Sequence, residues 1–150
     1  MGRAFVFAAF LVLGGGLAIG WATRPDAWYA ALAKPPFNPP NWVFAPVWSL
    51  LYVMIAVAGA RTWLHGLDRG FALWAAQLVL NFAWTPVFFG LHRPDLALAI
   101  IAALLAAILA FIVTRWHADR ISAVLFLPYA AWVAFASLLN ASIVMLNETV

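Results

Sequence analysis

The residues that could do chemistry in this sequence are its tryptophans, of which there are nine in 150 residues. Several lie near the ends of apolar segments, where tryptophan is common at membrane–water interfaces. Trp48, Trp84 and Trp132 lie deeper and need another explanation. An indole offers a flat apolar face and one N–H donor, which suits the binding of flat aromatic ligands. Indoles can also be oxidised, so radical chemistry on a bound ligand is a second option.

Residues for conventional catalysis are not grouped anywhere in the sequence. His65, His92 and His117 lie at the ends of apolar segments without the spacing of metal ligands, so we predict no metal site. There is no cysteine for disulfide or thiolate chemistry. No acidic or basic residue lies in the middle of an apolar segment, which argues against a proton-driven transporter. We therefore predict no conventional catalytic residue and no required cofactor.

The composition excludes an ordinary soluble domain. Hydrophobic residues make up 67% of the chain and charged residues 9%, with a mean hydropathy of +0.99. Soluble proteins carry about 25% charged residues. The charges are clustered, and the uncharged runs between clusters cover residues 4–23, 35–60, 70–91, 96–114 and 121–147. Each run can supply the roughly 20 residues that cross a bilayer as a helix. The net charge of +3 includes no basic run, so we expect contact with lipid headgroups and none with nucleic acid.

These runs predict an all-α membrane protein, a single domain over residues 1–150 that crosses the bilayer as a five-helix bundle. The predicted helices, which we call spans 1 to 5, cover residues 4–21, 42–63, 71–89, 94–116 and 121–146. Membrane strands would alternate apolar and polar residues, whereas residues 96–113 are apolar on every face. The first run is longer than the apolar core of a secretory signal, so we interpret it as a span.

The segment between spans 1 and 2, which we call loop 1, covers residues 23–41. Pro25 and Asp26 favour a short helix through Leu32, because proline fits the first helical turn and an acid suits the positive end of a helix. The following stretch KPPFNPP, residues 34–40, cannot be helical. We therefore expect this Pro-rich loop to be structured and to act as a lid of fixed shape.

The positions of Lys and Arg predict the orientation in the membrane. The side opposite loop 1 carries five of these residues and the loop-1 side carries three. This bias favours a cytoplasmic N-terminus. In span 1, Gly16 and Gly20 form a small-xxx-small pair, which permits close packing either within the chain or between two chains.

Side chains of three spans recur at helical spacing in or near the halves closest to loop 1. Span 2 contributes Trp48 and Tyr52, span 3 contributes Gln77, Asn81, Trp84 and Phe88, and span 5 contributes Tyr129, Trp132, Ala136 and Leu139. Each set lies on one face of its helix. The polar members of span 3 should face protein rather than lipid. The three faces could enclose an aromatic pocket beneath loop 1 or simply pack together, and spacing alone leaves both open.

Longer motifs carry a resemblance to a known family. Residues 28–40, WYAALAKPPFNPP, resemble the WYxxLxKPxxxPP signature of loop 1 in the TspO/MBR family, and residues 42–52 continue it. Residues 77–90, QLVLNFAWTPVFFG, and 127–140, LPYAAWVAFASLLN, resemble the family's third and fifth helices. Over nearly its whole length the chain therefore resembles tryptophan-rich sensory proteins and translocator proteins, also called peripheral benzodiazepine receptors.

The resemblance implies a five-helix bundle with a ligand cavity under loop 1. Family members bind porphyrins such as protoporphyrin IX, and some bind cholesterol and benzodiazepine-type drugs. Taken together, the helix faces and the resemblance give the expected ligand-binding residues: Tyr29, Trp42, Trp48, Tyr52, Asn81, Trp84, Phe88, Trp132, Ala136 and Leu139. Trp48 and Trp132 match the pair implicated in porphyrin breakdown in some bacterial relatives, and they are the candidates for any catalytic role.

The resemblance also implies a homodimer in a bacterial membrane, with Ala72, Ala76 and Ala83 offering a small-residue contact surface on span 3. Sterol binding of the mammalian kind is not expected. The proposed sterol pattern needs Lys or Arg after a tyrosine, and neither Tyr129 nor the region after Asn140 is followed by one.

Three functions follow as hypotheses. The first is a binding protein for tetrapyrroles and related apolar aromatic ligands, acting in tetrapyrrole sensing, transport or regulation. The second is a light- and oxygen-dependent porphyrin-degrading enzyme that uses Trp48 and Trp132. The third is an assembly partner whose aromatic faces only pack against one another.

Overall fold

The computed structural model describes residues 1–148, which are mostly helical and contain no strand. Five helices are long and apolar enough to cross a membrane: Gly2–Ala22, Asn41–Leu64, Arg69–Gly90, Pro94–Arg115 and Arg120–Asn147. They are spans 1 to 5, and the prediction of an all-α five-helix membrane protein is confirmed. Predicted and observed ends agree to within two residues, because charged residues and prolines mark where the apolar runs stop.

Span 1 consists of two α-helices joined by a wider turn. The α-helices cover Gly2–Ala9 and Gly15–Ala22, and a π-helical turn covers Phe10–Gly14. Such turns are rare inside α-helices and are often found close to functional sites. Here the turn immediately precedes the glycines at which span 1 contacts aromatic side chains of spans 2 and 3.

Two other spans contain an internal proline and respond to it differently. Span 3 is α-helical over Arg69–Thr85 and ends in a π-helical turn over Pro86–Gly90. Proline lacks the N–H that an α-helix needs at this point, which favours a wider turn. Span 5, by contrast, is a single α-helix over Arg120–Asn147 that continues through Pro128.

The remaining helices are regular. Span 2 begins with a 3₁₀ turn over Asn41–Val43 and continues as an α-helix over Phe44–Leu64, and span 4 is α-helical over Pro94–Arg115. Loop 1 contains the short helix Ala27–Ala31. This helix begins after Asp26 rather than at Pro25, because the Asp26 carboxylate caps it by accepting a hydrogen bond from a backbone N–H.

Around the bundle the spans follow the order 1, 2, 5, 4, 3, with span 3 again touching span 1. Spans 4 and 5 form the most extensive contact, and the rings of Phe111 and Phe126 lie between them with centroids 4.2 Å apart. Span 3 is held to span 2 by Trp74, whose Nε1 donates to the Ile55 carbonyl oxygen at 3.0 Å. Gly59 leaves room for that indole, since an added Cβ there would collide with it.

Ion pairs join the span ends opposite loop 1. Arg61 Nη2 lies 2.8 Å from Asp119 Oδ1, and Arg115 Nη2 lies 2.6 Å from Asp68 Oδ1. Asp119 and Arg115 are buried. Burial alone would raise the pKa of Asp119, but hydrogen bonds from Arg61 and Ser122 outweigh it and lower this pKa to about 2. Asp119 therefore stays ionised at neutral pH and connects spans 2 and 5.

We expect Asp119→Ala to lower the free energy of unfolding by about 2–3 kcal/mol, because it leaves Arg61 without its partner and removes the N-cap of span 5. Thermal unfolding in detergent measures the loss. Since the Asp119 pKa is lowered on folding, the wild-type contribution is present above pH 3.8 and is lost as the pH falls towards about 2. Asp95→Ala, at the exposed pair with Arg93, is the control and should leave the midpoint unchanged. Equal losses in both variants would contradict this account.

Candidate functional site

Beneath loop 1 the bundle surrounds a cavity of about 360 Å³. Spans 1, 2, 3 and 5 form its sides, and loop 1 contributes Thr23, Pro25, Tyr29 and Asn38. Every residue of span 4 lies outside the lining. The wall consists mainly of aromatic rings and small apolar side chains, with a few amide and hydroxyl groups among them. This mixture is typical of sites for small apolar molecules, which use few polar groups to fix the orientation of the ligand.

The structure brings nine of the ten predicted ligand-binding residues to this cavity: Tyr29, Trp48, Tyr52, Asn81, Trp84, Phe88, Trp132, Ala136 and Leu139. The tenth, Trp42, is 74% exposed and does not line it. Trp42 lies in the 3₁₀ turn that begins span 2, at the level where tryptophans form the interfacial belt of membrane proteins.

The aromatic rings of the wall form two groups. Trp48 and Trp132 lie edge to face, with ring centroids 6.5 Å apart and planes 88° apart. Trp84 stacks on Phe88, with centroids 5.2 Å apart and planes 30° apart. Spans 2 and 5 thus supply one pair of rings and span 3 supplies the other. A flat guest in the cavity would have aromatic surfaces available from three spans.

Two indole N–H groups of the wall, those of Trp84 and Trp132, differ in whether they already donate a hydrogen bond. Trp84 Nε1 donates to Asn140 Oδ1 at 3.0 Å, and Asn140 Nδ2 in turn donates to the Pro94 carbonyl oxygen at 2.8 Å. Trp132 Nε1 is fully buried in the wall and has no acceptor among residues 1–148. Trp84 and Trp132 therefore both present their rings, rather than their N–H groups, to a guest.

A line of four hydrogen-bonding side chains, which we call the polar chain, leads from the cavity into the core. The Tyr52 hydroxyl donates to Asn81 Oδ1 at 3.2 Å. Asn81 Nδ2 donates to the Tyr129 hydroxyl oxygen at 2.7 Å, and that hydroxyl donates to Gln77 Oε1 at 2.8 Å. The first two residues line the cavity, and the last two are fully buried behind its wall. Sequence spacing predicted that the two amides face protein, but not these partners.

Loop 1 is attached to span 5 by a pair of hydrogen bonds. Asn147 Nδ2 donates to the Ala33 carbonyl oxygen at 3.0 Å, and the Ala33 N–H donates back to Asn147 Oδ1 at 3.1 Å. Tyr29 is buried, with its ring against Phe88 and Phe89 at the end of span 3. Burial raises the pKa of Tyr29, so its hydroxyl is neutral at physiological pH. These contacts hold the loop over the cavity.

A second attachment joins loop 1 to the turn between spans 3 and 4. The ring of His92 stacks on Trp28 with centroids 4.3 Å apart, and His92 Nε2 lies 3.1 Å from Asp26 Oδ2. His92 has a φ of 53°, in the left-handed region that residues other than glycine seldom adopt. The predicted lid is therefore fixed at both of its flanks by side chains outside loop 1.

The sequence did not identify span 1 as part of the wall. Gly16, Ile19 and Gly20 line the cavity, although none carries an aromatic or amide group. The signal that could have found them is the small-xxx-small pair. Gly16 packs within the chain, because a Cβ added to it would lie 2.5 Å from the Tyr52 ring, whereas Gly20 borders open space.

The fold and the cavity define a class of protein: a helical membrane protein with an aromatic cavity beneath a structured loop. The family model of the TspO/MBR family matches residues 7–146. The chain is 42% identical over 140 residues to the Tryptophan-rich protein TspO of Archaeoglobus fulgidus, covering 87% of this chain and 91% of the relative. It is 38% identical over 135 residues to Protein CrtK of Rhodobacter capsulatus, covering 87% and 84%. The Translocator protein of Bos taurus is 39% identical over 120 residues, covering 75% and 70%. The chain belongs to the TspO/MBR family.

We expect Gly16→Ala to displace the Tyr52 ring from Asn81 and to destabilise the protein by about 1–3 kcal/mol, the usual effect of overpacking. Gly14→Ala is a matched control in the same helix, because a Cβ there meets nothing within 4 Å. Thermal unfolding of both variants measures the difference. A Gly16→Ala protein as stable as the Gly14→Ala protein would show that span 1 does not pack against Tyr52 in this way.

Proposed function

We propose that this protein binds tetrapyrroles, such as protoporphyrin IX, and related apolar aromatic molecules in the cavity beneath loop 1, and that it acts in tetrapyrrole sensing, transport or regulation. The observation that carries the proposal is a cavity with three indoles in its wall, in a chain of the TspO/MBR family. The relatives' names, which include Tryptophan-rich sensory protein and Translocator protein, favour sensing or transport over a purely structural role.

The chemistry of the wall supports a flat, largely apolar ligand. Trp48, Trp84 and Trp132 present rings from three different helices, and stacking on such rings favours aromatic guests. Tyr52 and Asn81 add a hydroxyl and an amide to this wall for polar contacts with the guest. No Asp, Glu, Lys, Arg or His lines the cavity within residues 1–148, so a charged group of the ligand would have to lie outside it.

The size of the cavity sets how the ligand is accommodated. At about 360 Å³ it lies near the lower end of the range for small-molecule sites, roughly 300–1,000 Å³. A molecule of a few fused rings fits this volume with loop 1 in place. A porphyrin is larger, so its entry requires loop 1 to move outward. The hydrogen bonds of Asn147 with Ala33 and the contact of His92 with Asp26 are the polar contacts that such a movement breaks.

We further propose that the protein is a homodimer in a bacterial membrane with its N-terminus in the cytoplasm. Ala72 and Ala76 are exposed on span 3, and small residues let two helices approach closely. The excess of Lys and Arg on the side opposite loop 1 favours that side as cytoplasmic.

Titration of the detergent-solubilised protein with protoporphyrin IX tests the binding proposal. We expect saturable quenching of tryptophan fluorescence, and we expect Trp132→Phe and Trp48→Phe each to weaken binding by about fivefold or more, because each loses indole contact area. Trp21→Phe removes an indole that is 73% exposed and outside the cavity wall, so its affinity should equal that of the wild type. If all three variants bind alike, the ligand lies elsewhere.

Illumination of the same samples in air tests the alternative, a porphyrin-degrading enzyme. The specific observation in its favour is the contact of Trp48 with Trp132 at 6.5 Å, which would let an oxidised indole exchange an electron with its neighbour. Loss of porphyrin absorbance with product formation, abolished in Trp132→Phe at saturating ligand and retained in Trp21→Phe, is the expected result for an enzyme. Bound porphyrin that bleaches equally in every variant would exclude a role for these indoles in breakdown.

A further inference from the structure

The polar chain contains two hydroxyls and two amides, and its hydrogen bonds all run in one direction. Tyr52 donates to Asn81, Asn81 donates to Tyr129, and Tyr129 donates to Gln77. Each residue therefore gives a hydrogen to the next one away from the cavity. At the cavity end this leaves the lone pairs of the Tyr52 oxygen available to accept.

The far end of the chain is incompletely satisfied. Gln77 is fully buried, and its Nε2 has no hydrogen-bond partner among residues 1–148. A buried N–H without an acceptor is rarer in proteins than a buried carbonyl with a spare lone pair, because leaving it unpaired is costly. The observed direction therefore keeps three good hydrogen bonds and leaves one unfavourable group at Gln77.

The same four side chains can form three hydrogen bonds in the opposite direction. Rotating each side-chain amide by half a turn exchanges the positions of its oxygen and nitrogen. Gln77 then donates to Tyr129, Tyr129 donates to Asn81, and Asn81 donates to Tyr52. The unpaired group becomes the Gln77 carbonyl, and the Tyr52 hydroxyl becomes a donor towards the cavity. The two directions make equal numbers of bonds and differ mainly in which Gln77 atom is unpaired.

We infer that the polar chain sets the hydrogen-bonding character of the cavity wall, and that Gln77 and Tyr129 are positioning residues for ligand selection. With the chain in one direction Tyr52 accepts from a ligand N–H, and with the chain reversed it donates to a ligand carbonyl. The cavity can thus take flat apolar molecules with either one central donor or one central acceptor. This inference rests on the proposed function only in that the ligand occupies this cavity.

Gln77→Leu should fix the direction of the chain. Without the Gln77 oxygen, the Tyr129 hydroxyl has one acceptor left in the chain, which is Asn81 Oδ1 after rotation of that amide. Asn81 then donates to Tyr52, and Tyr52 donates to the ligand. Tyr129→Phe should have the same effect, because Tyr52 is then the one remaining partner of the Asn81 amide within the polar chain. Asn81 turns its N–H towards Tyr52, since an unpaired buried N–H is rarer than an unpaired carbonyl.

Three tricyclic probes of similar shape read out this change. Carbazole carries one N–H donor, 9-fluorenone carries one carbonyl acceptor, and fluorene carries neither. Equilibrium dialysis against protein in lipid nanodiscs, with empty nanodiscs subtracted, gives the three affinities. For the wild type we expect carbazole and fluorenone each to bind about fivefold more tightly than fluorene, the effect of about one hydrogen bond.

In Gln77→Leu we expect the ratio of carbazole to fluorenone affinity to fall about fivefold, with fluorene unchanged. Tyr129→Phe should lower the same ratio, and adding Gln77→Leu to Tyr129→Phe should lower it no further, since both act through Asn81. Thr62→Val is the control, because Thr62 is a fully buried polar residue of span 2 that does not belong to the polar chain. If Gln77→Leu does not fold, the measurement on Tyr129→Phe tests the inference instead.

Two results would overturn the inference while leaving the proposed function intact. One is a change of all three probe affinities by the same factor, or no change, in Gln77→Leu and in Tyr129→Phe. The other is binding of protoporphyrin IX without binding of any tricyclic probe. Absence of binding of all four compounds to the wild type would refute the proposed function and this inference together.

Discussion

Lipid hydrocarbon offers no hydrogen-bond partner, and this constraint decides where the polar side chains of the five spans lie. Asn81 is buried against Tyr129, and Asn140 is buried against Trp84 and the first carbonyl of span 4. Trp74 likewise gives its N–H to a carbonyl of span 2. All these bonds join different spans. They therefore fix the rotation of each helix about its own axis, and with it the set of side chains that faces the cavity.

The cavity exists because small residues face large rigid ones at the loop-1 end of the bundle. Gly20 and Ala136 leave space where longer side chains would fill it, and a Cβ added to Gly20 meets no atom within 4 Å. Trp48 and Trp132, which also line this space, lie edge to face and cannot collapse into it without losing their contact. At the other end, Phe111 and Phe126 are fully buried, with their rings packed against each other. The same bundle thus has a cavity beneath the loop and closely packed aromatic rings further from it.

The spans could be predicted from sequence because the bilayer acts on one segment at a time: an apolar run long enough to cross must form a helix, whatever its neighbours are. The loop-1 helix could be predicted for a similarly local reason, because Asp26 is an acidic residue suited to the start of a helix. Side-chain contacts between different spans could not be predicted in this way. Gln77 was expected to face protein, but its contact with Tyr129 depends on the order of spans around the bundle. Arg115 was counted only as a charge, whereas the fold buries it against Asp68.

The two ends of the molecule are held by different contacts, and this difference indicates where the proposed binding would require movement. Opposite loop 1, the buried residues Asp119 and Arg115 connect neighbouring span ends, and separating a buried ion pair leaves an uncompensated charge. Over the cavity, loop 1 is held by the amide of Asn147, the exposed side chain of His92 and ring contacts of Tyr29. Hydrogen bonds and charged pairs that are exposed at the surface exchange readily with water at small net cost. On the proposed function, a ligand larger than the cavity would therefore enter by moving loop 1, while the ion pairs at the other end would keep the spans in place.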